Sequence, residues 1–245
     1  MKKILNLKNV SFSYSPERPV LSGINLEIPR GSFTGITGSN GSGKSTFLYL
    51  LNGLIPHLIP GLFEGDVFVD GQNTRQLKMG LLSQKVGLVF QNPDLAIFNL
   101  TVEEEIAFGL SNFGYKNISG KIRQALSTVG LPGFEKRDPQ SLSFGEKQRV
   151  SLASILALDT DCLLLDEPTA MLDYQSSEAL YLLLKKLNRQ GKTIIVVEHD
   201  TDFLWKYAGD VLILHMGKIA AYGLIEKILT DRTLLSKTGV KNPHL

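Results

Sequence analysis

The chain has 245 residues, 43% of them apolar and 8% aromatic, which suits one sizeable folded unit or one unit with subdomains. Its 26 lysines and arginines against 24 aspartates and glutamates leave a net charge of +2, too near neutral for a nucleic-acid footprint. One cysteine excludes an internal disulfide and suits a reducing compartment, and the longest apolar runs, at 163–165, 194–197 and 211–214, fall far short of the ~20 residues that span a bilayer.

Met1-Lys2-Lys3 leads into a strand pattern with polar interruptions rather than a secretory signal. Residues 4–30 read as strand, turn and strand, with Ser15-Pro16-Glu17-Arg18-Pro19 as the turn. Val10, Phe12 and Tyr14 alternate, which points all three to one face, ordinarily the core. Ser32–Thr37 predicts a short strand and Phe47–Leu51 the first turns of a helix. Between them stands Gly38-Ser39-Asn40-Gly41-Ser42-Gly43-Lys44-Ser45-Thr46, a full G-x-x-x-x-G-K-[ST] phosphate-binding loop. Gly38, Gly41 and Gly43 let the backbone curl so that its N–H groups face phosphate oxygens. Lys44 reaches the β- and γ-phosphates, the Ser45 hydroxyl ligates Mg²⁺, and the helix N-terminus attracts the anion.

Gly53–Gly61 contains Pro56 and Pro60, cannot be one regular helix, and is expected to be a surface loop in which His57 has no special role. Asp66–Val69, closing at Asp70-Gly71, is a further strand; with those of residues 4–30 it predicts an antiparallel sheet layered on the nucleotide core. Thr101 is an N-cap, and Glu103-Glu104-Glu105 suits a first helical turn. That acidic run reads as a solvated helix start, with basic residues of a partner as the second reading. Helices are expected near 118–130 and 144–158.

Cys162-Leu163-Leu164-Leu165 predicts a buried strand of a parallel sheet, with Cys162 as a small core residue. Asp166 then emerges at the carboxyl end, where nucleotides bind in such sheets, placed to hold Mg²⁺ through water. Glu167 suits the role of general base for an attacking water. A strand ending in two solvated carboxylates is common, and the pair gains its meaning from the phosphate loop. Helix 175–190 with Gly191 as its cap, strand 193–197, helix 201–207 and strand 211–214 continue the alternation. Residues after Gly217 read as a short hairpin and helix, and no internal repeat is present.

Leu142-Ser143-Phe144-Gly145-Glu146 opens an amphipathic helix. The order of phosphate loop, L-S-x-G-E and Asp-Glu-Pro resembles the ATP-binding-cassette ATPases over nearly the whole chain. The resemblance implies an α/β fold: a P-loop NTPase, RecA-like core with an antiparallel β subdomain and a helical signature subdomain at about 93–158, in one domain of residues 1–245. It implies hydrolysis of ATP with Mg²⁺. Under it Gln91 links the Mg²⁺ and water site to the helical subdomain, Asp173 is the D-loop aspartate, His199 contacts the γ-phosphate and Tyr14 stacks on adenine. Ser143 and Gly145 meet the nucleotide held by a second cassette. Met171 stands where Ser or Ala is more usual, and Phe144 where glycine is. A helix start needs only ordinary dihedrals, so Ser143 and Gly145 are expected to remain usable.

Residues 89–109 resemble the energising subunits of energy-coupling-factor and cobalt-type importers. That resemblance implies a second cassette, a copy or a paralogue, with a transmembrane coupling protein and a small substrate-binding membrane subunit. It places the chain on the cytoplasmic face of the membrane, with a vitamin, a vitamin precursor or a transition-metal ion as cargo. A groove beside Gln91 and Thr101, including Leu95, Ala96 and Phe98, is expected to receive short helices of the coupling protein. The rival is a soluble ABC ATPase of repair, translation or cofactor assembly. A third reading, an inactive nucleotide-binding regulator, stands against the presence of both Glu167 and His199.

Overall fold

The computed structural model describes residues 2–244. Among them the strands are β1 (Lys3–Ser13), β2 (Pro19–Pro29), β3 (Phe33–Thr37), β4 (Leu62–Val69), β5 (Gln72–Asn73), β6 (Val86–Val89), β7 (Cys162–Asp166), β8 (Thr193–Val197), β9 (Asp210–His215) and β10 (Lys218–Leu224). The helices are α1 (Lys44–Leu51), α2 (Leu54–His57), α3 (Met79–Lys85), α4 (Val102–Asn112), α5 (Ile118–Thr128), α6 (Phe144–Ala157), α7 (Tyr174–Arg189), α8 (Thr201–Tyr207), α9 (Ile225–Ile228) and α10 (Arg232–Thr238).

One sheet is antiparallel, in the order β2-β1-β4-β5; the other runs β10-β9-β3-β8-β7-β6 and is parallel except for its edge strand β10. Successive residues of a strand face opposite sides, and the central strands use both. Leu163, Leu165, Ile194 and Val196 join the core under α4 to α8, while Cys162, Leu164, Ile195 and Val197 join the core shared with α1 and the antiparallel sheet. A sheet covered on both faces is why these strands read as unbroken apolar runs. Burial also pushes the Cys162 thiol up to about 12, which keeps it an inert core residue.

Two expectations change. β4 begins at Leu62 rather than near Asp66, because Gly65 sits inside it at φ +76° where β1 shifts register between Lys8 and Ser11. A Cβ there would lie 2.3 Å from the Asn9 carbonyl oxygen, so only glycine permits the close approach, and that glycine disguises the strand as a turn. The 53–61 segment is more than a surface loop. Leu54–His57 is a turn kinked at Ile55, whose φ of −97° and ψ of 125° are not helical, in keeping with the prolines; yet Ile55 is fully buried in the core, and His57 Nε2 lies 2.8 Å from the Thr74 carbonyl oxygen. Between β6 and β7 the chain runs through α4, α5 and α6, which pack on one another.

Candidate nucleotide site

Parallel strands deliver their carboxyl ends to one side, and four loops meet there. β3 runs into the phosphate loop, β6 into Gln91, β7 into Asp166 and Glu167, and β8 into Glu198 and His199. At Gly38, φ is +149° and a Cβ would stand 2.1 Å from the Leu214 carbonyl oxygen; at Gly43, φ is +102°, directly before α1. The loop can therefore curl tightly and send its amides toward an anion at the helix start.

A cleft of about 470 Å³ opens here, lined by Tyr14, Arg18, Pro19, Val20, Asn40, Gly41, Gly43, Lys44, Ser45, Thr46 and Glu167. Tyr14 parts from Val10 and Phe12: those two are fully buried, while Tyr14 is 39% exposed at the cleft, past the end of β1. Its hydroxyl lies 3.0 Å from Thr46 Oγ1, and Phe12 braces its ring edge-on at 4.9 Å. The ring can thus present a face to a planar base. Arg18, Pro19 and Val20 escaped the sequence reading; the signal lay in the β1–β2 turn, which must double back beside Tyr14.

The Lys44 ammonium donates to the carbonyl oxygens of Gly38 at 3.0 Å and Ser39 at 3.2 Å. Burial lowers its pKa, and the Glu167 and Asp166 charges oppose that shift. Burial raises the Asp166 carboxyl, with the Ser45 hydroxyl pulling the other way. Asp166 Oδ1 is buried and has no hydrogen-bond partner. An orphan carboxylate oxygen beside a hydroxyl and a lysine fits Mg²⁺, which takes one or two protein oxygens and completes its shell with water and phosphate. Ser45 and Asp166 could supply those oxygens, with Gln91 at the water side.

Glu167 is held at φ +44°, a strained setting for a residue with a side chain, and its N–H donates to the Val197 carbonyl at 3.0 Å. Gln91 Nε2 donates to Glu167 Oε2 at 3.0 Å, and His199 Nε2 lies 3.0 Å from Glu167 Oε1. Two residues far apart in sequence, Gln91 and His199, thus converge on one carboxylate at the mouth of the cleft, an arrangement suited to orienting a water and sensing a terminal phosphate.

Ser143, Gly145 and Asp173 are not among the groups lining this cleft. Ser143 caps α6: its hydroxyl oxygen accepts from the Glu146 N–H at 3.3 Å, and Glu146 Oε2 accepts from the Ser143 N–H at 2.8 Å. An accepting hydroxyl keeps its own proton to donate. Phe144 is the first helical residue and avoids positive φ, as expected. Asp173 caps α7, accepting from the Ser176 N–H at 2.7 Å and hydroxyl at 3.1 Å.

Of the acidic run 103–105 only Glu105 turns inward, while Glu104 stays exposed and Glu103 half-buried, as a solvated helix start would have them. Glu103 pairs with Lys136, Glu104 closes the capping box with Thr101, and Glu105 is buried. One oxygen of Glu105 accepts from Phe98 N at 3.2 Å, Asn99 N at 3.1 Å and Asn99 Nδ2 at 2.8 Å. It fixes a lip on which Leu95 is 77%, Phe98 65% and Leu100 82% exposed.

A family model described as ABC transporter matches residues 21–170. The energy-coupling factor transporter ATP-binding protein EcfA of Carboxydothermus hydrogenoformans is 37% identical, the alignment covering 100% of this chain and 89% of that one. The solved structure of cbiO1 from Clostridium perfringens, part of the ABC transporter complex cbiONQ, superposes with a TM-score of 0.84 at 29% identity over 97% of this chain and 94% of that one. The dimeric structure of MJ0796, a bacterial ABC transporter cassette, gives 0.78 at 32% identity over 90% and 98%. The cleft, the grip of Gln91 and His199 on Glu167 and these similarities agree: the chain belongs to the ABC transporter family, as an ATP-binding, ATP-hydrolysing subunit with energy-coupling-factor relatives.

Proposed function

We propose that this subunit energises a membrane importer of the energy-coupling-factor type, whose cargo is a vitamin, a vitamin precursor or a transition-metal ion. The observation that carries the importer reading is the apolar lip at 95–100, built on the segment that begins at Gln91 and pinned by Glu105. It offers a groove wall to short cytoplasmic helices of a transmembrane coupling protein, which itself works with a small substrate-binding subunit. No helix among the described residues is long and apolar enough to cross a membrane, so the path for cargo is assigned to those partners, with this chain at the cytoplasmic face.

Within the site, Tyr14 stacks on adenine. The phosphate loop from Ser39 to Thr46, with Lys44, holds the phosphates, and Ser45 and Asp166 would hold Mg²⁺. That ion, when bound, neutralises charge on the β- and γ-phosphates. Glu167 takes the proton of the attacking water, Gln91 orients that water, and His199 contacts the γ-phosphate. Ser143, Gly145 and Asp173 act on the nucleotide of a second cassette, a copy or a paralogue. Closure of the pair would complete both sites, and hydrolysis would reopen it, moving the lip and the helices docked on it.

Affinity capture of the full chain from detergent-solubilised membranes tests the importer reading. A polytopic coupling protein should be recovered in proportion to the chain, and its presence should raise ATP turnover. Recovery of the chain with soluble factors alone would favour the cofactor-assembly or repair class instead. If the second cassette is a copy, mixing a Ser143→Arg chain with a Lys44→Ala chain should restore one intact composite site. No recovery of turnover over either variant alone would remove the trans assignment.

A further inference from the structure

Glu198 stands directly before His199 at the end of β8, is only 3% exposed, and has no place in the roles above. Its carboxyl accepts from the Thr169 hydroxyl, with Oγ1 and Oε1 2.6 Å apart. Thr169 lies two residues beyond Glu167. The two segments are therefore joined three times within a few residues. The Glu167 N–H donates to the Val197 carbonyl at 3.0 Å, His199 meets Glu167 on the cleft side at 3.0 Å, and Glu198 meets Thr169 on the interior side. The interior tie reaches further in both directions. The Glu198 N–H donates to the Ile36 carbonyl at 2.9 Å, which locks it to the strand feeding the phosphate loop. The Leu172 N–H donates to the Thr169 carbonyl at 3.0 Å, one residue before Asp173.

We propose that Glu198 is a positioning residue which, through Thr169, sets the distance between Glu167 and His199 and couples both to the turn that carries Asp173. The inference rests on the assigned roles of Glu167 and His199. Glu167 sits at a positive φ that its own side chain disfavours, so the turn after it needs an external restraint to hold the carboxylate at the cleft. A buried acceptor gripping Thr169 supplies that restraint, and a short, largely desolvated hydrogen bond transmits displacement better than an exposed one. Movement of Asp173 by an approaching second cassette would pass through Leu172 and Thr169 to Glu198, and from there to His199. Burial pushes the Glu198 carboxyl up to about 7, opposed by its hydrogen bonds from Thr169. Neutral or ionised, it keeps an oxygen that can accept from the threonine, so the tie persists on either side of that pH.

The test uses the full chain assembled with its second cassette, with Glu198→Ala, Glu198→Gln, Thr169→Val and the Glu198→Ala/Thr169→Val pair. Steady-state turnover and ATP affinity are measured for each. Glu198→Ala and Thr169→Val should each lower kcat about ten-fold, leave ATP affinity within about two-fold, and combine to no more than either alone, since both cut one tie. Glu198→Gln keeps an acceptor oxygen and should recover most of the rate. Thr169→Val is nearly isosteric and guards against a misfolded Glu198→Ala. Wild-type kcat in Thr169→Val, fully additive losses in the pair, or ATP affinity falling in step with kcat would each overturn the proposal. Glu167→Gln run alongside separates the two levels: near-normal turnover there would remove the catalytic assignment, whereas loss there with unchanged Thr169→Val removes only the tie.

Discussion

The two sides of the Gln91 segment are unfinished in opposite ways. On the strand side, polar groups crowd a depression and some lack partners: Asp166 Oδ1 and Ser42 Oγ are buried without a hydrogen bond. On the helical side, apolar groups stand in solvent, with Phe98 and Phe108 packed edge-to-face at 5.1 Å and both at least half exposed. The first surface asks for a small, highly charged ligand and the second for another protein. Gln91 touches Glu167 on one side, and its chain leads through Asn92 and Pro93 to the lip on the other. On the proposed function, chemistry and docking are thus separate in composition yet adjacent in sequence, and substitutions should be able to damage one and spare the other.

The largest separation is expected from Glu167→Gln. Removing a general base costs on the order of 10²–10⁴ in rate. ATP should still bind and the coupling protein should still be captured, with an ATP-bound closed pair accumulating. Steady-state turnover of the assembled complex measures it, and a rate within a few-fold of wild type would exclude Glu167 as the base.

Lys44→Ala should act one step earlier, on binding. The ammonium rests on the Gly38 and Ser39 carbonyls, poised at the cleft, and each charged hydrogen bond to phosphate contributes about 1.5–3 kcal/mol. Loss of two such contacts lowers ATP affinity by at least about 100-fold. A titration with a fluorescent ATP analogue reads it directly, and unchanged affinity would move the phosphate site away from this loop.

The opposite damage comes from Leu95→Asp or Phe98→Asp. Central apolar anchors of an interface are each worth about 2 kcal/mol or more, so capture of the coupling protein should fall about 30-fold. Nucleotide affinity of the isolated chain should stay unchanged, because neither side chain lines the cleft. Full retention of the partner would place the docking surface elsewhere.

The sequence was informative where one residue type has one mechanical job. The phosphate loop, Asp166 with Glu167, and the apolar runs of β7 and β8 each carry their own explanation, and the structure brings Lys44 and Ser45 of the loop beside Asp166 and Glu167. Tyr14 was ambiguous because period-two alternation cannot tell the last core residue from the first residue beyond the strand end. β4 was cut short at Gly65, whose close approach to the Asn9 carbonyl looks like a turn in one dimension. The fate of Glu103, Glu104 and Glu105 was illegible for a different reason. Three identical side chains in a row point three ways around a helix, and only the packing of the lip decides which is buried. Glu198 was hidden likewise, since a charged residue beside a strand end ordinarily faces water.

The smallest effect expected concerns that buried member of the run. Glu105→Ala removes one oxygen that serves three donors, all on Phe98 and Asn99. The segment is near the surface, so water can replace much of what is lost, and the cost should be about 1 kcal/mol. That is too little to unfold α4, whose capping box at Thr101 and Glu104 is untouched. It is enough to loosen the lip. The Phe98 and Asn99 amides should exchange with solvent about five-fold faster, and capture of the coupling protein should weaken by a similar factor, far less than with Leu95→Asp. Glu105→Gln keeps one acceptor oxygen and should fall between wild type and Glu105→Ala in both readouts. Nucleotide affinity should not move in either variant. Faster exchange with undiminished capture would mean that the lip docks without being preorganised; unchanged exchange would mean that Glu105 does not hold it.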